Sequence, residues 1–369
     1  MQHYSVTPNF IHGAIELEVT DRGLVPHRLP AQIRKQFPDQ QLMAMERQPS
    51  GVRIILRTSA QNITLETCHS RLIYLDSGRP SGRIDVLIDE KLQLSEHTTG
   101  GTSTEVNFMS GETTQKTEGT HLCSVTDLAP TEKRVEFWLP YNEEVEIIAI
   151  HADAPIAPVA PGTRWINYGS SISQGSNAAS PSRIWPALVA QEKQLDLLNL
   201  GFGGSAMLDP FMARLIRDQQ ADVISLEVGI NIVNSDAMRL RTFNAALHGF
   251  LDTIREGHPT TAIYVISPFF CEIHEQNPGP GAFDTSSFGS GQIRFIAPEK
   301  DTSNGRLTLE IVRTAVQEIL DNRADENLHL INGAEIFSAA DAAVHPLSDN
   351  LHPDAASHEI ISGRVAKHF

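Results

Sequence analysis

The chain has 369 residues, of which 40% are hydrophobic and 20% charged, as in ordinary globular proteins, and this length favours two domains. Its formal net charge of −16 repels phosphate backbones and argues against a nucleic-acid partner. No apolar stretch of about eighteen residues exists to span a bilayer, and the amino terminus lacks a signal-peptide pattern. We expect a cytoplasmic protein with no membrane partner, although removal of a leader would leave the same pattern; the oligomeric state stays open.

The cysteines and histidines show no pattern of a metal site. Cys68, Cys123 and Cys271 lie far apart without a CxxC pair, which argues against a zinc site and against a disulfide framework. The 15 histidines include no HExxH motif and no comparable pair at helical spacing. We therefore expect no metal and no cofactor.

Residues 1–150 are predicted to form an all-β domain, a sandwich or jelly roll. Short segments that alternate polar and apolar residues recur between turn signals, as in strands buried on one face. They are residues 15–19, 52–56, 63–67, 84–88, 135–139 and 145–150. The polar segment 95–120 is predicted to be a hairpin or a loop between such strands.

Residues 151–162 differ sharply in composition, since three prolines in an extended run predict a semi-rigid linker. Residues 163–369 then alternate strand and helix patterns, which predicts an α/β domain with a parallel sheet covered by helices on both faces. The strand candidates are 195–200, 223–228, 263–267 and 328–332, and the helix candidates are 185–192, 237–256, 307–324 and 354–367. Segment 275–304, rich in Gly, Pro and Ser, predicts a lid or a substrate-binding loop.

A candidate nucleophile lies where the first of these strands ends. The run Trp165–Tyr168 leads into Gly169-Ser170-Ser171, which predicts a strand, a tight turn and a helix start. Open α/β sheets hold ligands at the carboxyl ends of strands, and unpaired NH groups of the first helical turn point to the same place. Ser171 could therefore act as a nucleophile. A serine before a helix is also commonly a plain N-cap, and this motif alone does not decide.

Three further blocks supply partners for a nucleophile. Residues 199–204 end the next strand with glycines, which let backbone NH groups approach a ligand. Asn231 follows the third strand and can donate through its side-chain amide. Asp349 and His352 precede the last helix, with Pro353 suited to its first turn. Together the blocks offer oxyanion donors, a base and an orienting carboxylate.

In this order, the four blocks resemble the SGNH, or GDSL, hydrolase superfamily of esterases and acyltransferases, over residues 164–369. The resemblance implies a flavodoxin-like α/β/α catalytic domain in residues 163–369. It further implies that Ser171 is the nucleophile, His352 the base and Asp349 its orienting group. By the same resemblance, the oxyanion hole consists of the Ser171 NH, the Gly204 NH and the Asn231 side chain.

Two positions depart from the family pattern. Ser170 stands where the family has the aspartate of Gly-Asp-Ser, and Ile232 stands where an aspartate usually follows the asparagine. Neither belongs to the nucleophile, the base or the oxyanion donors, so the departures leave activity possible and put the loop geometry in doubt. A Gly-Ser-Ser-Ile variant with an added amino-terminal β-domain resembles a subgroup that includes carbohydrate esterases and acyltransferases.

Competing motifs fail on spacing. Gly169 and Gly175 do not fit a phosphate-binding P-loop, Gly201-x-Gly203 lacks the third glycine of a dinucleotide fingerprint, and no Gly-x-Ser-x-Gly elbow occurs. His345 also follows an aspartate, Asp341, but at the four-residue spacing of an ordinary helix surface pair. The sequence therefore favours His352.

The function expected from these features is that of a serine esterase, which hydrolyses a short, acetyl-like ester through an acyl-enzyme on Ser171. An acyltransferase, in which an alcohol replaces water, is the alternative within this chemistry, and a non-catalytic glycan-binding protein is the alternative outside it. Fold analogy to sugar-binding sandwiches suggests a sugar or another polyol as the alcohol. We expect residues 1–150 and the 275–304 loop to bind that alcohol.

Overall fold

The computed structural model describes residues 1–75, 80–107 and 110–369. By internal contacts the chain divides into two compact units, Met1–Gly162 with Ser180–Ser182, and Thr163–Ala179 with Arg183–Phe369. Cys68, Cys123 and Cys271 are buried free thiols. None of the described helices has the length and apolar character that crossing a membrane requires.

The first unit is built mainly of antiparallel β-sheet. Its elements, in chain order, are β1 (Gln2–Ser5), β2 (Ile11–His12), β3 (Glu16–Val19), β4 (Leu24–His27), α1 (Ala31–Gln36), α2 (Gln40–Glu46), β5 (Arg53–Thr58), β6 (Ile63–Leu75), β7 (Arg83–Ile88), β8 (Lys91–His97), β9 (Thr102–Asn107), β10 (Thr113–Thr117), β11 (His121–Val125), β12 (Lys133–Trp138), β13 (Glu144–Ala152) and β14 (Ile156–Pro158). One sheet has the order β10-β9-β6-β13-β4-β3, with β1 also on β13 and β11 on β6. The other has the order β14-β5-β12-β7-β8, with β2 on β5.

A single hydrophobic core contains side chains from both sheets of this unit. Ile54 and Phe137 come from the second sheet, and Leu65 and Ile147 come from the first. Every predicted strand segment of the β-domain is present. Strands β5, β7 and β12 bury consecutive residues, and so both faces, rather than the single face that alternation predicts. Within the polar segment 95–120, β9 and β10 form a hairpin, although residues 108–109 lie outside the described residues. Residues 156–158, in the predicted linker, pair with β5 as β14.

The second unit alternates strands and helices around a parallel sheet. Its elements are β15 (Thr163–Gly169), α3 (Ser171–Gln174), α4 (Trp185–Lys193), β16 (Leu195–Gly201), α5 (Pro210–Asp218), β17 (Val223–Glu227), α6 (Ile230–Asn234), α7 (Leu240–Gly257), β18 (Ala262–Ile266), α8 (Glu272–Glu275), β19 (Ala282–Phe283), β20 (Phe295–Ile296), α9 (Leu309–Asp321), β21 (Leu328–Ile331), α10 (Gly333–Ile336), α11 (Ala339–Val344) and α12 (Ala355–Val365). The parallel sheet has the order β16-β15-β17-β18-β21. The predicted α/β class and all four predicted long helices are confirmed.

Helices cover both faces of this sheet. Trp165 of β15 is fully buried against Trp185 of α4, with ring centroids 6.0 Å apart. Tyr168, three residues later and on the opposite face, packs against Phe250 of α7 at 5.2 Å. The chain passes from β15 to β16 on one side and then to β17 on the other, so the strand order reverses at β15. Ligand sites in open α/β sheets lie outside the carboxyl ends of strands at such a reversal.

Candidate active site

The turn after β15 presents the Ser171 hydroxyl. Ser170 is the N-cap of α3, since its side chain accepts a hydrogen bond from the Ile172 NH at 3.1 Å. The capping role therefore falls to Ser170, and Ser171 is the first residue of the helix. Gly169 has no room for a side chain, because a Cβ there would lie 2.6 Å from Glu227 Oε2. Close packing against the neighbouring strand thus fixes the turn.

A continuous chain of hydrogen bonds joins Ser171, His352 and Asp349. Ser171 Oγ lies 2.9 Å from His352 Nε2, and His352 Nδ1 lies 2.8 Å from Asp349 Oδ2. The side chains of His352 and Asp349 are each 7% exposed, so water competes little for these bonds. The structure therefore brings together the three residues that the sequence motifs predicted to act together.

Asp349 is held as a carboxylate. Burial opposes its ionisation, but the hydrogen bond and the charge of His352 outweigh burial and hold the pKa of Asp349 well below its ordinary value. Its Oδ1 also accepts from the NH groups of Leu351 and His352, at 3.0 and 2.8 Å. Asn177 donates to Oδ2 at 3.3 Å. An ionised carboxylate here keeps a proton on His352 Nδ1 and leaves Nε2 to accept the Ser171 proton.

The loop that carries Gly204 is tied to the nucleophile turn. Gln174 of α3 accepts a hydrogen bond through its side-chain oxygen from the Gly203 NH at 2.8 Å. A Cβ on Gly201 would lie 2.4 Å from the backbone nitrogen of Gln174. Gly204 follows in a left-handed conformation with φ 70°, which glycine adopts without strain. Asn231 of α6 binds the same loop, because its Oδ1 accepts from the Ala206 NH at 3.0 Å. That bond fixes the amide orientation and makes Nδ2 the donating group.

Sequence reasoning assigned no role to Glu227, which lies under the turn. Glu227 ends β17, is fully buried, and accepts through Oε2 from the Ser170 NH at 2.7 Å and from the Ser173 hydroxyl at 3.1 Å. Burial raises the pKa of this carboxyl, although those same hydrogen bonds oppose the shift. A signal was present in the sequence, since Glu227 is the one charged residue in strand 223–228, whose other residues are apolar except Ser225.

We expect the Glu227→Gln variant to differ from the wild type in the pH dependence of its stability. A raised pKa means that the folded state binds the Glu227 proton more tightly than the unfolded state. Wild-type stability should therefore fall as pH rises above the ordinary value of 4.5, by up to about 1.4 kcal/mol per pH unit until the folded-state pKa is passed. Glutamine does not titrate, so the variant's free energy of unfolding lacks this pH dependence. Denaturant unfolding between pH 4.5 and 8 should therefore show that the wild type loses stability relative to the variant as the pH rises. If the free energy of unfolding depended on pH in the same way for both proteins, a raised pKa of Glu227 would be contradicted.

The predicted Asp341–His345 side-chain pair is wrong. Asp341 does lie in a helix, α11, but its carboxylate binds both terminal nitrogens of Arg364 at 2.6 and 2.9 Å and caps the helix through Ser338. A guanidinium is always charged and offers a two-pronged geometry, so it outcompetes a histidine for a carboxylate. His345 is the C-cap of α11.

Segment 275–304 contains an antiparallel pair of strands, β19 and β20, which was not predicted. The Phe295 NH of β20 donates to the Asp349 carbonyl at 2.8 Å, and Asn350 Nδ2 donates to the Phe295 carbonyl at 3.0 Å. Asn350 has a left-handed backbone with φ 67°, a conformation that asparagine tolerates better than most residues. The β19–β20 hairpin is thereby bonded to the turn that carries Asp349 and His352.

Among the described residues, one group of three could in principle hold a metal ion, namely Glu96, His121 and Cys123. His121 Nδ1 accepts from the Thr99 NH at 3.3 Å, which leaves the proton on Nε2, the atom that faces Glu96 at 3.4 Å. Burial, with the nearby His69 and Arg71 charges, lowers the pKa of His121 to about 4, so the ring is neutral. A metal would need the Nε2 lone pair, and this tautomer does not offer it.

Comparisons with known proteins identify the family and fold that the chain resembles. Residues 163–277 match the GDSL-like Lipase/Acylhydrolase family, and residues 10–146 match the SsfX3 N-terminal domain. Among solved structures, the salicylyl-acyltransferase SsfX3 from a tetracycline biosynthetic pathway is similar over 98% of this chain and 95% of its own, with 27% identity and a TM-score of 0.77. None of the curated proteins compared with the chain matches it. The resemblance drawn from the four sequence blocks is confirmed.

Two further structures share the fold. A GDSL-like lipase from Bacteroides ovatus is similar over 96% of this chain and 93% of its own, with 20% identity and a TM-score of 0.65. A family two carbohydrate esterase from Cellvibrio japonicus is similar over 100% of this chain and 96% of its own, with 12% identity and a TM-score of 0.58. At these identities the similarity concerns the fold alone.

Proposed function

We propose that this protein is a serine esterase that hydrolyses a short-chain, acetyl-like ester, because residues 163–277 match the GDSL-like Lipase/Acylhydrolase family. The observation that carries the proposal is the buried hydrogen-bonded chain from Asp349 through His352 to Ser171, with links of 2.8 and 2.9 Å. A nucleophile, a base within hydrogen-bond reach and a third group that orients the base are what covalent acyl transfer requires.

The proposed reaction proceeds through an acyl-enzyme. His352 Nε2 takes the Ser171 proton as Oγ attacks the ester carbonyl, and the charge that develops on the carbonyl oxygen is bound by the NH groups of Ser171 and Gly204 and by Asn231 Nδ2. His352 then gives its proton to the departing alcohol oxygen. A water molecule then attacks the acyl carbonyl as His352 takes its proton, the bond to Ser171 Oγ breaks and releases the acid, and His352 returns the proton to Oγ. Asp349 stays ionised throughout and stabilises the imidazolium.

Acyl transfer to an alcohol is the second candidate. The likeness to a protein described as a salicylyl-acyltransferase, at 27% identity over nearly the whole chain, supports it. The two reactions share every step up to the acyl-enzyme and differ in whether water or an alcohol attacks next. The residues named above serve both.

A series of p-nitrophenyl esters of increasing acyl length tests the proposal. We expect turnover, with the highest kcat/KM for acetate and a decline for longer chains. Repeating the assay with added alcohols separates the two candidates, since a transferase forms a new ester while nitrophenol release is maintained or raised. An enzyme that turned over none of the esters and resisted fluorophosphonate labelling would contradict both.

Replacing Asn231 by alanine should lower kcat by about 10²–10³ with a smaller change in KM, because a donor aimed at developing charge acts mainly in the transition state. The change also leaves the Ala206 NH without its acceptor, so we expect a stability loss of about 1–3 kcal/mol. Steady-state kinetics and thermal unfolding measure the two effects.

The Asn231→Asp variant is the matched control for this pair of effects. Aspartate keeps an acceptor for the Ala206 NH but has no amide donor, so its loss of kcat should be at least as large as that of the alanine variant. Normal kcat in the aspartate variant, or an effect of either change confined to KM, would assign Asn231 to substrate binding instead.

A further inference from the structure

The rings of His352, Phe295 and Phe283 form a row that begins at the proposed base. The Phe295 ring meets the His352 ring edge to face, with centroids 5.7 Å apart and planes at 78°. Phe283 lies directly opposite Phe295 in the β19–β20 pairing, and their ring centroids are 5.1 Å apart. Phe283 is 45% exposed, so the row leads from the catalytic imidazole to solvent.

The row packs on the residue that must reach the alcohol. In the proposed reaction His352 passes its proton to the oxygen of the departing alcohol, or takes one from an accepting alcohol, so that oxygen has to lie within reach of Nε2. The carbonyl oxygen binds instead to Asn231 and the loop of Gly204 in that proposal. Phe295 contacts the His352 ring itself, which favours the alcohol over the acyl oxygen as the neighbour of the row.

The row is fixed in place before any substrate arrives. The Phe295 NH donates to the Asp349 carbonyl at 2.8 Å, and the Phe295 carbonyl accepts from Asn350 Nδ2 at 3.0 Å. The strand pairing then fixes Phe283 relative to Phe295. A preformed aromatic surface binds a flat apolar partner with little loss of side-chain freedom, whereas a polyol needs converging polar groups to replace its water.

We infer that Phe283 and Phe295 form the alcohol subsite and that the alcohol has a flat, aromatic face. The inference rests on the proposed function and names its alcohol class, in place of the sugar or polyol expected from the sequence. The aromatic alcohol stacks on Phe283 and Phe295 while its hydroxyl oxygen lies at His352 Nε2. An aromatic contact of this kind is worth a few-fold to about tenfold in affinity.

Phe283→Ala tests the inference, since Phe283 contacts Phe295 and lies at the exposed end of the row. We expect kcat/KM for 2-naphthyl acetate to fall about threefold to tenfold, through KM, while kcat/KM for ethyl acetate stays within twofold. Phe283→Tyr keeps the ring and should restore wild-type values. Val344→Ala removes another exposed apolar side chain, 72% exposed on α11, and should change neither ester. Equal losses for both esters, no loss for either, or a larger loss for acetylated glucose would overturn the aromatic assignment.

Calorimetric titration with 2-naphthol keeps this inference separate from the proposed reaction, because it needs no turnover. Binding should weaken by the same factor in Phe283→Ala and not in Val344→Ala. If Ser171 reacts with a fluorophosphonate but the affinity for 2-naphthol is the same with and without the Phe283 ring, the assignment of the subsite is wrong and the proposed reaction is not affected. If Ser171 does not react and no ester is cleaved, yet binding depends on Phe283, the subsite stands and the esterase proposal fails.

Discussion

Replacing Ser171 by alanine is expected to abolish ester turnover, with a fall in kcat of about 10⁴–10⁶-fold. Ser171 Oγ is the hydroxyl bonded to His352 Nε2, at 2.9 Å, and without it no acyl-enzyme can form. Initial rates with p-nitrophenyl acetate measure the loss. Unchanged turnover in this variant would contradict the mechanism.

Ser170→Ala is the matched control, because it removes a hydroxyl one residue away. Ser170 caps α3, so its loss should cost about 0.5–2 kcal/mol of stability and leave substantial activity. A fluorophosphonate probe should modify Ser171 alone, as read by peptide mass spectrometry. Modification of Ser170 or Ser173 would show that the nucleophile had been placed in the wrong register.

His352→Ala should lower kcat by a factor close to that of Ser171→Ala, since the two side chains act as one unit and their losses do not add. His345→Ala should be nearly normal, because His345 only ends α11 and Asp341 is bonded to Arg364. Comparison of the two variants under one assay decides between the two histidines. Equal losses would contradict the assignment of His352 as the base.

A double variant gives a second test of the same assignment. The double variant Ser171→Ala, His352→Ala should be no slower than either single variant.

Local patterns were sufficient to predict most of the strands and helices, and also the residues that the structure brings together around Ser171. Each strand of the parallel sheet is a mostly apolar run that ends in, or directly precedes, a glycine or a polar residue, and Ser171 and Asn231 follow such ends closely, whereas Asp349 and His352 lie just before α12. The helix α5 was missed although it carries a strong local signal, a proline in its first turn and apolar residues at helical spacing. Other missed elements carry weak local signals. α1 and α2 span only Ala31–Gln36 and Gln40–Glu46, which is too short for a helical period to stand out.

Contacts between distant segments could not be predicted in this way. Glu227 meets Ser170 across two strands, and Phe295 meets His352 from a segment 57 positions away, which no spacing rule connects. The Asp341 carboxylate binds Arg364 because α12 places the guanidinium beside it. The residues around Asp341 in the sequence do not indicate that Arg364, rather than His345, is its partner. Such pairings depend on the completed fold, whereas element ends depend on neighbouring residues.

The bonds between the β19–β20 hairpin and the turn at Asn350 bear on how this scaffold can diversify. They involve only the Phe295 backbone, the Asp349 carbonyl and the Asn350 side chain, and the residues at 284–294 take no part in them. Substitutions at the tip of the hairpin can therefore change its surface while the bonds at Phe295 are kept, so the surface beside the proposed base can vary without moving that base. Asn350→Gly would keep the left-handed backbone and remove the side-chain link, which would weaken the coupling between the hairpin and the turn of His352.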